Sequence, residues 1–312
     1  MTVHELAIAR SVIYASLFDY PLTLDQLHHA LIESDQSPSE IEATYAASER
    51  LQRVIGHRDG FFFPAGRDDL VAERRHREAR SRAFLQRYRF VLRLICAVPF
   101  TRMVALSGSI AHLNLERGGD LDLLIVTRGR HVWTVAVTVL LLTKCLGRRR
   151  IVCANLVLAD SRLALEQQDL FTANQVIHLK PLLGEDVLDD FLAANPFVRR
   201  LYPNALAWHP HRAVDWPPGG FLQGMKAVLE IALRLPSPWI ETGCRRLYGW
   251  YLRRRAAAWE SPEQVRLDPD FLKLHTRSHR HSVLDRFERA VADAWRRANR
   301  SRDRTVAPGR HR

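Results

Sequence analysis

Three short apolar segments in the middle of the chain constrain its fold more than any other feature. Residues 103–107, 121–126 and 151–158 are rich in Val, Ile and Leu, and each has the length of a buried strand. The segments between them, 109–115 and 131–146, have the spacing of helices. This alternation of strands and helices predicts a small core built on one sheet.

The second apolar segment carries two aspartates at alternate positions. Asp120 and Asp122 flank Leu121, and a carboxylate in an apolar strand is unfavourable unless something pairs with it. Side chains two residues apart in a strand share a face, with Cα atoms roughly 6.5 to 7 Å apart. Both carboxylates can therefore reach a pair of Mg²⁺ ions spaced about 3.5 to 4 Å apart. The sequence predicts a site for two magnesium ions.

A glycine and a serine precede this strand at the corner between the first strand and its helix. Gly108 allows close approach of a ligand to the backbone, and a helix that starts near Ser109 presents free N–H groups to an anion. We expect a phosphate there, facing the aspartates. Lys180 and His178 are further candidates for phosphate contact, on a helix expected to begin near Thr172 with a capping box and to end before Gly184.

At these residues the chain resembles the nucleotidyltransferase superfamily typified by DNA polymerase beta. The matching pattern is Gly108-Ser109, ten residues, then Asp120-Leu121-Asp122, and the resemblance covers about residues 100–185. It implies that Gly108 and Ser109 seat the terminal phosphates of a nucleoside triphosphate (NTP). It also implies that Asp120 and Asp122 bind two Mg²⁺ ions and that a nucleoside monophosphate is transferred to a hydroxyl, releasing pyrophosphate.

The chain departs from the family at the third carboxylate, which the resemblance places on a neighbouring strand. In residues 151–158 the polar side chain that we identify is Asn155, whose amide can ligate a metal through oxygen but cannot take a proton. Asn155 is then a weakened third ligand, or Asp160 or Glu166 reaches in from the following loop, or catalysis is lost. The last alternative predicts a non-catalytic protein that binds a nucleotide or nucleic acid.

The N-terminal segment, residues 1–66, has the element order of a winged helix. A helix over residues 3–17 is followed by capping boxes at Thr23 and Ser37 and by a hairpin signal at Asp59-Gly60. The chain resembles, in this order, bacterial nucleotidyltransferase-domain proteins with a winged-helix-like segment. Nine acidic residues against four arginines in residues 1–64 argue against DNA binding and favour contact with a protein partner or a structural role.

The remaining boundaries follow from composition. Residues 67–98 read as an arginine-rich linking helix, 99–207 as the nucleotidyltransferase domain, 208–298 as a helical basic region and 299–312 as a disordered tail. The predicted fold class is therefore α+β: a small mixed-sheet core preceded by a winged-helix-like domain and followed by helices.

Most of the positive charge lies at the C-terminal end of the chain. The net charge is +12, and residues 201–312 hold 21 basic and 11 acidic residues. In residues 245–255, five arginines interleave with Tyr248, Trp250 and Tyr251, a pattern that suits RNA, an anionic lipid surface or a helix packed on the core. RNA is thus a candidate anionic acceptor. We expect His275, His279 and His281 to belong to the basic surface.

Cysteine spacing and hydropathy indicate the compartment. The four cysteines lack C-x-x-C spacing, which argues against a zinc site and for inert thiols in a reducing compartment. The first residues do not resemble a signal peptide. The most apolar segment, 132–143, is shorter than the roughly 20 residues that a membrane span needs. These features predict a cytoplasmic protein without a transmembrane segment.

Overall fold

The computed structural model describes residues 1–205, 219–274 and 279–299. These residues form helices and mixed sheets, which confirms the α+β class. They divide into two compact units, the first made of residues 1–74, 201–205 and 281–299 and the second of residues 75–200, 219–274 and 279–280. In the part of the chain that the structure describes, no helix is long and apolar enough to cross a lipid bilayer.

The first unit combines short helices with a small antiparallel sheet. Its elements up to the long helix are α1 (Val3–Ser16), β1 (Leu22–Thr23), α2 (Leu24–His29), α3 (Pro38–Ala47), α4 (Glu49–Gln52), β2 (Ile55–Arg58) and β3 (Phe61–Pro64). The strand order is β1-β3-β2. Asp59 and Gly60 both have positive φ between β2 and β3, which confirms the hairpin.

Local signals set the helix starts in this unit. Thr23 and Ser37 form the expected capping boxes, with Gln26 and Glu40 as their respective partners. The last described helix, α13 (Arg280–Asn299), lies mostly in this unit. Its Phe287 ring meets the Tyr14 ring edge-on, with centroids 5.1 Å apart. A helix assigned from sequence to the C-terminal region thus packs on the first helix of the chain.

The second unit is built on a six-stranded mixed sheet. The strands are β4 (Thr101–Ser107), β5 (Leu121–Thr127), β6 (Val152–Ala159), β7 (Lys180–Leu183), β8 (Val265–Leu267) and β9 (Phe271–Leu274), in the order β7-β4-β5-β6-β9-β8. β5 and β6 are parallel, whereas the other neighbours are antiparallel. The helices of this unit are α5 (Asp69–Cys96, whose first residues belong to the first unit), α6 (Gly108–Ala111), α7 (Val132–Cys145), α8 (Leu170–Ile177), α9 (Glu185–Ala193), α10 (Phe197–Leu201, whose last residue belongs to the first unit), α11 (Gly220–Leu233) and α12 (Ser237–Arg254).

One face of this sheet is covered by an apolar core. Leu121, Leu123 and Ile125 of β5 are fully buried in it, together with residues of α5 and α7. Glu241 of α12 fixes the start of α7, because its two carboxylate oxygens accept hydrogen bonds from the backbone N–H groups of Trp133 and Thr134 at 2.9 and 2.8 Å. This core holds β5 rigidly from one side.

The structure corrects two predicted elements. Residues 180–183 are strand β7 rather than the end of a helix, and α8 is capped by Asp169, whose side chain accepts from the Thr172 backbone N–H. Pro181 cannot donate a helical hydrogen bond, and the edge of β4 offers the segment a partner. The C-terminal region is also not purely helical, because β8 and β9 extend the sheet beyond β6. Residues 206–218, 275–278 and 300–312 lie outside the described residues, and with them His275 and most of the predicted tail.

Candidate functional site

The corner at the end of β4 brings the glycine of the sequence motif against an aspartate. Ser107 pairs with Asp122 in the antiparallel register of β4 and β5. Gly108 follows with φ +65°, and a Cβ atom built on it would lie 2.6 Å from Asp122 Oδ2. Glycine is therefore required twice here, by its left-handed backbone and by the close approach of the carboxylate. The Gly-Ser corner and Asp122 face each other as expected.

The helix after this corner is shorter than predicted. α6 spans Gly108–Ala111, one turn instead of the expected 109–115, and Leu113 has a positive φ just beyond it. One turn contributes only a small dipole, so the free backbone N–H groups are what remains for an anion. The Ser109 hydroxyl has no hydrogen-bond partner among the described residues and stays available to a ligand.

Helix α5 fixes the loop that leads into Asp120. Ser81 Oγ accepts a hydrogen bond from the Leu115 backbone N–H at 3.0 Å, and Arg80 donates to the Leu115 carbonyl at 2.9 Å. Arg77 pairs with Glu116 at 3.7 Å. These arginines of the linking helix therefore hold the loop on the approach to β5.

Two carboxylates and a thiol meet at the start of β5 and β6. One potential ligand atom from each of Asp120, Asp122 and Cys153 lies within 4.8 Å of the others. Cys153 Sγ donates to Asp120 Oδ2 at 3.2 Å, and Asn155 Nδ2 donates to Asp122 Oδ1. The parallel register that pairs Asp122 with Cys153 creates this cluster.

Burial gives this cluster unusual protonation. Removal from water and, after it, the negative charge of Asp120 together raise the pKa of Asp122 to about 7, although the hydrogen bond from Asn155 opposes the shift. Burial and the two carboxylates raise the pKa of Cys153 to about 12. Without a bound cation, protonated and ionised Asp122 therefore coexist near pH 7, whereas the Cys153 thiol is neutral.

An irregularity in β6 places Asn155 on the side of the site. The register with β5 shifts between Leu123 and Leu124, so that Asn155 is an extra residue without an opposite partner. Before the bulge, Val152 and Ala154 face the core; after it, Val157 and Ala159 do. Asn155 and Leu156 consequently both face the opposite side of the sheet, although they are consecutive.

A pocket opens beside the carboxylates on this side of the sheet. Its volume is about 810 Å³, counting the part open to solvent, and Ser107 and Asn155 belong to its wall. Apolar side chains make up much of the rest, including Leu124, Phe171 and Phe271. A ligand held at the acidic cluster can extend into this pocket without crossing the sheet.

The far side of the pocket carries amides and a lysine. Lys273 Nζ donates to Gln167 Oε1 at 2.6 Å and to Gln264 Oε1 at 3.1 Å. Burial lowers the pKa of Lys273 to about 8, and the charges of Arg266 and Arg280 act in the same direction. Gln175 also lines the pocket, and its side-chain amide has no partner among the described residues.

Four other residues that the sequence singles out are not members of the acidic cluster: Lys180, His178, Asp160 and Glu166. Lys180 lies on β7, opposite Leu106, and is therefore a strand residue. His178 ends α8, and its ring lies 3.9 Å from that of His112, centroid to centroid. The remaining two, Asp160 and Glu166, are held by arginines: Asp160 by Arg102 at 3.2 Å, Glu166 by Arg162 at 3.2 Å and Arg266 at 3.1 Å. Neither is a member of the carboxylate and thiol cluster.

Sequence reasoning missed Cys153 and Arg149. The cysteine spacing groups Cys153 with inert thiols, yet Cys153 lies two residues before Asn155, and the period of two in a strand puts both on one face. That signal was available. Arg149 is exposed just before β6, and its charge acts on Cys153 against the effect of burial. No local pattern distinguishes Arg149 from Arg148 and Arg150.

The side chains fit a divalent cation with one exception. Asp120 and Asp122 offer the oxygen ligands that Mg²⁺ prefers, close enough together to share an ion. The thiol of Cys153 is a soft ligand, suited to zinc-like or copper-like ions and not to Mg²⁺. Two of the three groups thus suit magnesium.

Comparison of the chain with protein-family models, with curated proteins and with solved structures gave no match in any of the three.

Proposed function

We propose that this protein is a nucleotidyltransferase of the polymerase beta type. In this proposal it transfers a nucleoside monophosphate from an NTP to an acceptor hydroxyl, with Mg²⁺ as cofactor. The acceptor oxygen forms a bond to the α-phosphorus, the bond to the bridging oxygen breaks, and pyrophosphate leaves. The observation that carries the proposal is the left-handed Gly108 against the Asp122 carboxylate, with Asp120 beside it.

The residues of the corner divide the work of binding. Asp120 and Asp122 would hold Mg²⁺, which would neutralise phosphate charge and polarise the reacting phosphate. The Ser109 hydroxyl and the backbone around Gly108 would contact the terminal phosphates, and Arg149 and Lys180 are nearby candidates for the same task. The pocket beyond Asn155 has a mixed apolar and amide lining that suits the base and sugar of a nucleoside. Phosphoryl transfer depends mainly on such positioning and charge neutralisation.

The proton of the acceptor hydroxyl has no dedicated base on β6. Asn155 cannot accept it, and the raised pKa of Cys153 keeps the thiol protonated. The proton would pass to one of the two aspartates or to water. Loss of a positioned general base slows a reaction by roughly 10²- to 10⁴-fold. We therefore expect a slow transferase.

A second candidate function follows from this same substitution. With a thiol and an amide where the family resemblance places a third carboxylate, the protein would bind a nucleotide or nucleic acid without turning it over. The hydrogen bond from Asn155 to Asp122 favours this alternative, because it occupies an oxygen that a catalytic metal would need. The two candidates differ in turnover and agree on binding.

We also infer a winged-helix architecture for the first unit. Its helices, its terminal hairpin and its β1-β3-β2 sheet support this. The acidic balance of residues 1–64 favours a protein partner over DNA.

One labelling experiment distinguishes the two functions. Purified protein is incubated with Mg²⁺ and each α-labelled NTP, with total RNA and a metabolite extract offered separately as acceptors. We compare it with Asp120→Asn/Asp122→Asn and with the control Asp189→Asn/Asp190→Asn, two exposed aspartates of α9. Transfer that the first double variant abolishes and the control retains supports the enzyme. NTP binding without transfer to either acceptor supports the second candidate, and absence of both contradicts the proposal.

A further inference from the structure

Helix α11 is oriented with polar side chains toward its own unit. Lys226 Nζ donates to the Thr101 carbonyl at 2.6 Å and to its hydroxyl at 2.9 Å. Glu230, one turn later, accepts from the Phe100 backbone N–H at 2.8 Å and pairs with Arg128 at 3.2 Å. Among its apolar residues, Leu233 packs against the core. Specific polar contacts hold this helix in place where most helices rely on an apolar face.

The opposite side of α11 and the residues that follow it are apolar and exposed. None of the fourteen residues of α11 is buried. The most exposed large side chains are 65 to 83% accessible: Phe221, Val228 and Ile231 at helical spacing on α11, then Leu235 in the following turn and Trp239 at the start of α12. Met225 and Leu229 lie between them, 40 and 38% accessible. We call these seven side chains the apolar stripe. A continuous exposed stripe of this kind marks an interaction site.

Helix α12 adds aromatic rings and arginines on its exposed side. Its inner face carries Tyr248 and Leu252, which pack on the core. Outward lie Leu247 and Trp250, 74 and 53% accessible, among the exposed arginines Arg245, Arg246, Arg253 and Arg254. The guanidinium of Arg254 stacks on the Trp250 ring, 4.0 Å from its centroid. Arginine, tryptophan and leucine together are the composition of helices that lie in a membrane interface.

We propose that α11 and α12 dock this protein on an anionic membrane surface. The apolar stripe would enter the boundary between headgroups and acyl chains, and the arginines of α12 would contact lipid phosphates. RNA would satisfy the arginines and rings but gives Val228, Ile231 and Leu235 no partner. A second copy would satisfy the stripe but would bring like charges of α12 together. An anionic bilayer satisfies both, independently of the nucleotidyltransferase activity.

Vesicle sedimentation with the full chain tests this proposal. Vesicles of phosphatidylcholine alone are compared with vesicles that also contain phosphatidylglycerol. We expect the protein to sediment with the anionic vesicles, with a blue shift of tryptophan fluorescence. Val228→Ser/Ile231→Ser/Leu235→Ser should weaken binding at least about tenfold. Phe90→Ser is the matched control, because Phe90 is a 64% accessible side chain of α5 in the same unit and should leave binding unchanged.

A charge reversal separates the electrostatic contribution. Arg253→Glu/Arg254→Glu should remove the preference for anionic vesicles, whereas Arg130→Glu/Arg150→Glu, which alters two other exposed arginines of the unit, should retain it. Equal loss in both charge variants would overturn the proposal, as would failure of the wild-type protein to bind anionic vesicles. A concentration-dependent dimer in sedimentation velocity that the serine variant abolishes would assign the stripe to a second copy instead.

Discussion

The two faces of strand β5 differ in what their residues contribute. Toward the helices, Leu121, Leu123 and Ile125 are buried in a continuous apolar core. Toward the opposite side, Asp120 and Asp122 share a small space with Cys153, and the pKa of Asp122 rises to about 7 because it is withdrawn from water. Beyond Asp122 both faces of the strand carry buried apolar residues, so the acidic groups are confined to the start of β5, where alternation separates them from the core. The apolar face holds the backbone, and the acidic face uses that rigidity at a cost in stability.

The largest expected effect is a loss of stability when an apolar side chain is removed from the core face of β5. Leu123→Ala removes a fully buried side chain, and we expect the free energy of unfolding to fall by about 3 kcal/mol. Denaturant unfolding followed by circular dichroism measures this. Metal binding by the variant that remains folded should match wild type. A change below about 0.5 kcal/mol would mean that this face does not hold the strand.

In contrast to Leu123→Ala, Asp122→Asn should raise the free energy of unfolding of the metal-free protein. The folded pKa of Asp122 lies above its unfolded value, so the group's contribution to stability is fully present below about pH 3.8 and is lost as the pH rises to about 7. Without bound metal at pH 8, the variant should be more stable than wild type by on the order of 2 kcal/mol. Thermal unfolding at pH 8 and pH 3.5 measures the difference. Stabilisation of equal size at both pH values would refute this account.

Introducing a third carboxylate beside Asp120 and Asp122 should increase the proposed transfer activity. Asn155→Asp supplies a proton acceptor beside Asp122, and we expect transfer, measured as label incorporation with Mg²⁺ present, to rise at least about tenfold. Cys153→Asp is a second position for the same group on the same strand face. Asn155→Ser, which offers no carboxylate, should give no increase. If neither aspartate variant exceeds wild type, the lack of a third carboxylate is not what limits the proposed reaction.

The smallest expected effect concerns the corner glycine. Gly108→Ala places a side chain on a left-handed backbone and displaces the Asp122 carboxylate, so we expect a loss of about 1 kcal/mol in stability together with weaker Mn²⁺ binding. Gly118→Ala is the matched control, because Gly118 has φ +82° and a Cβ added there would have no atom within 4 Å. It should show no greater loss of stability than Gly108→Ala, and normal Mn²⁺ binding in a calorimetric titration. Equal binding in both variants would argue that Gly108 does not position Asp122.

Local signals in the sequence predicted much of this arrangement. The capping residues Thr23 and Ser37, the hairpin at Asp59 and the strand that contains Asp122 are all encoded within a few residues of chain, where periodicity and capping act. The facing of Gly108 and Asp122 was also foreseen, because a strand, a turn and an antiparallel neighbour leave few alternatives.

Long-range pairing explains what was not predicted. β7 is four residues long and contains Pro181, so only the edge of β4 makes it a strand. β8 and β9 depend likewise on β6, more than 100 residues earlier. Helix α11 turns its polar side chains toward its own unit and its apolar side chains outward. This orientation depends on hydrogen bonds with Thr101 and Phe100, more than 120 residues away. An apolar helix taken alone gives no indication that its apolar side will face outward.

The bulge at Asn155 makes the length of β6 as important as its composition. Up to Ala154 the even-numbered residues of β6 face the core, and from Leu156 onward the odd-numbered residues do. A chain one residue shorter at this point would have to give up either Cys153 beside Asp120 or Val157 in the core. The residues of β6 before the bulge can therefore change their polar side chains, as a third carboxylate would require. The residues after the bulge keep their apolar side chains in the core.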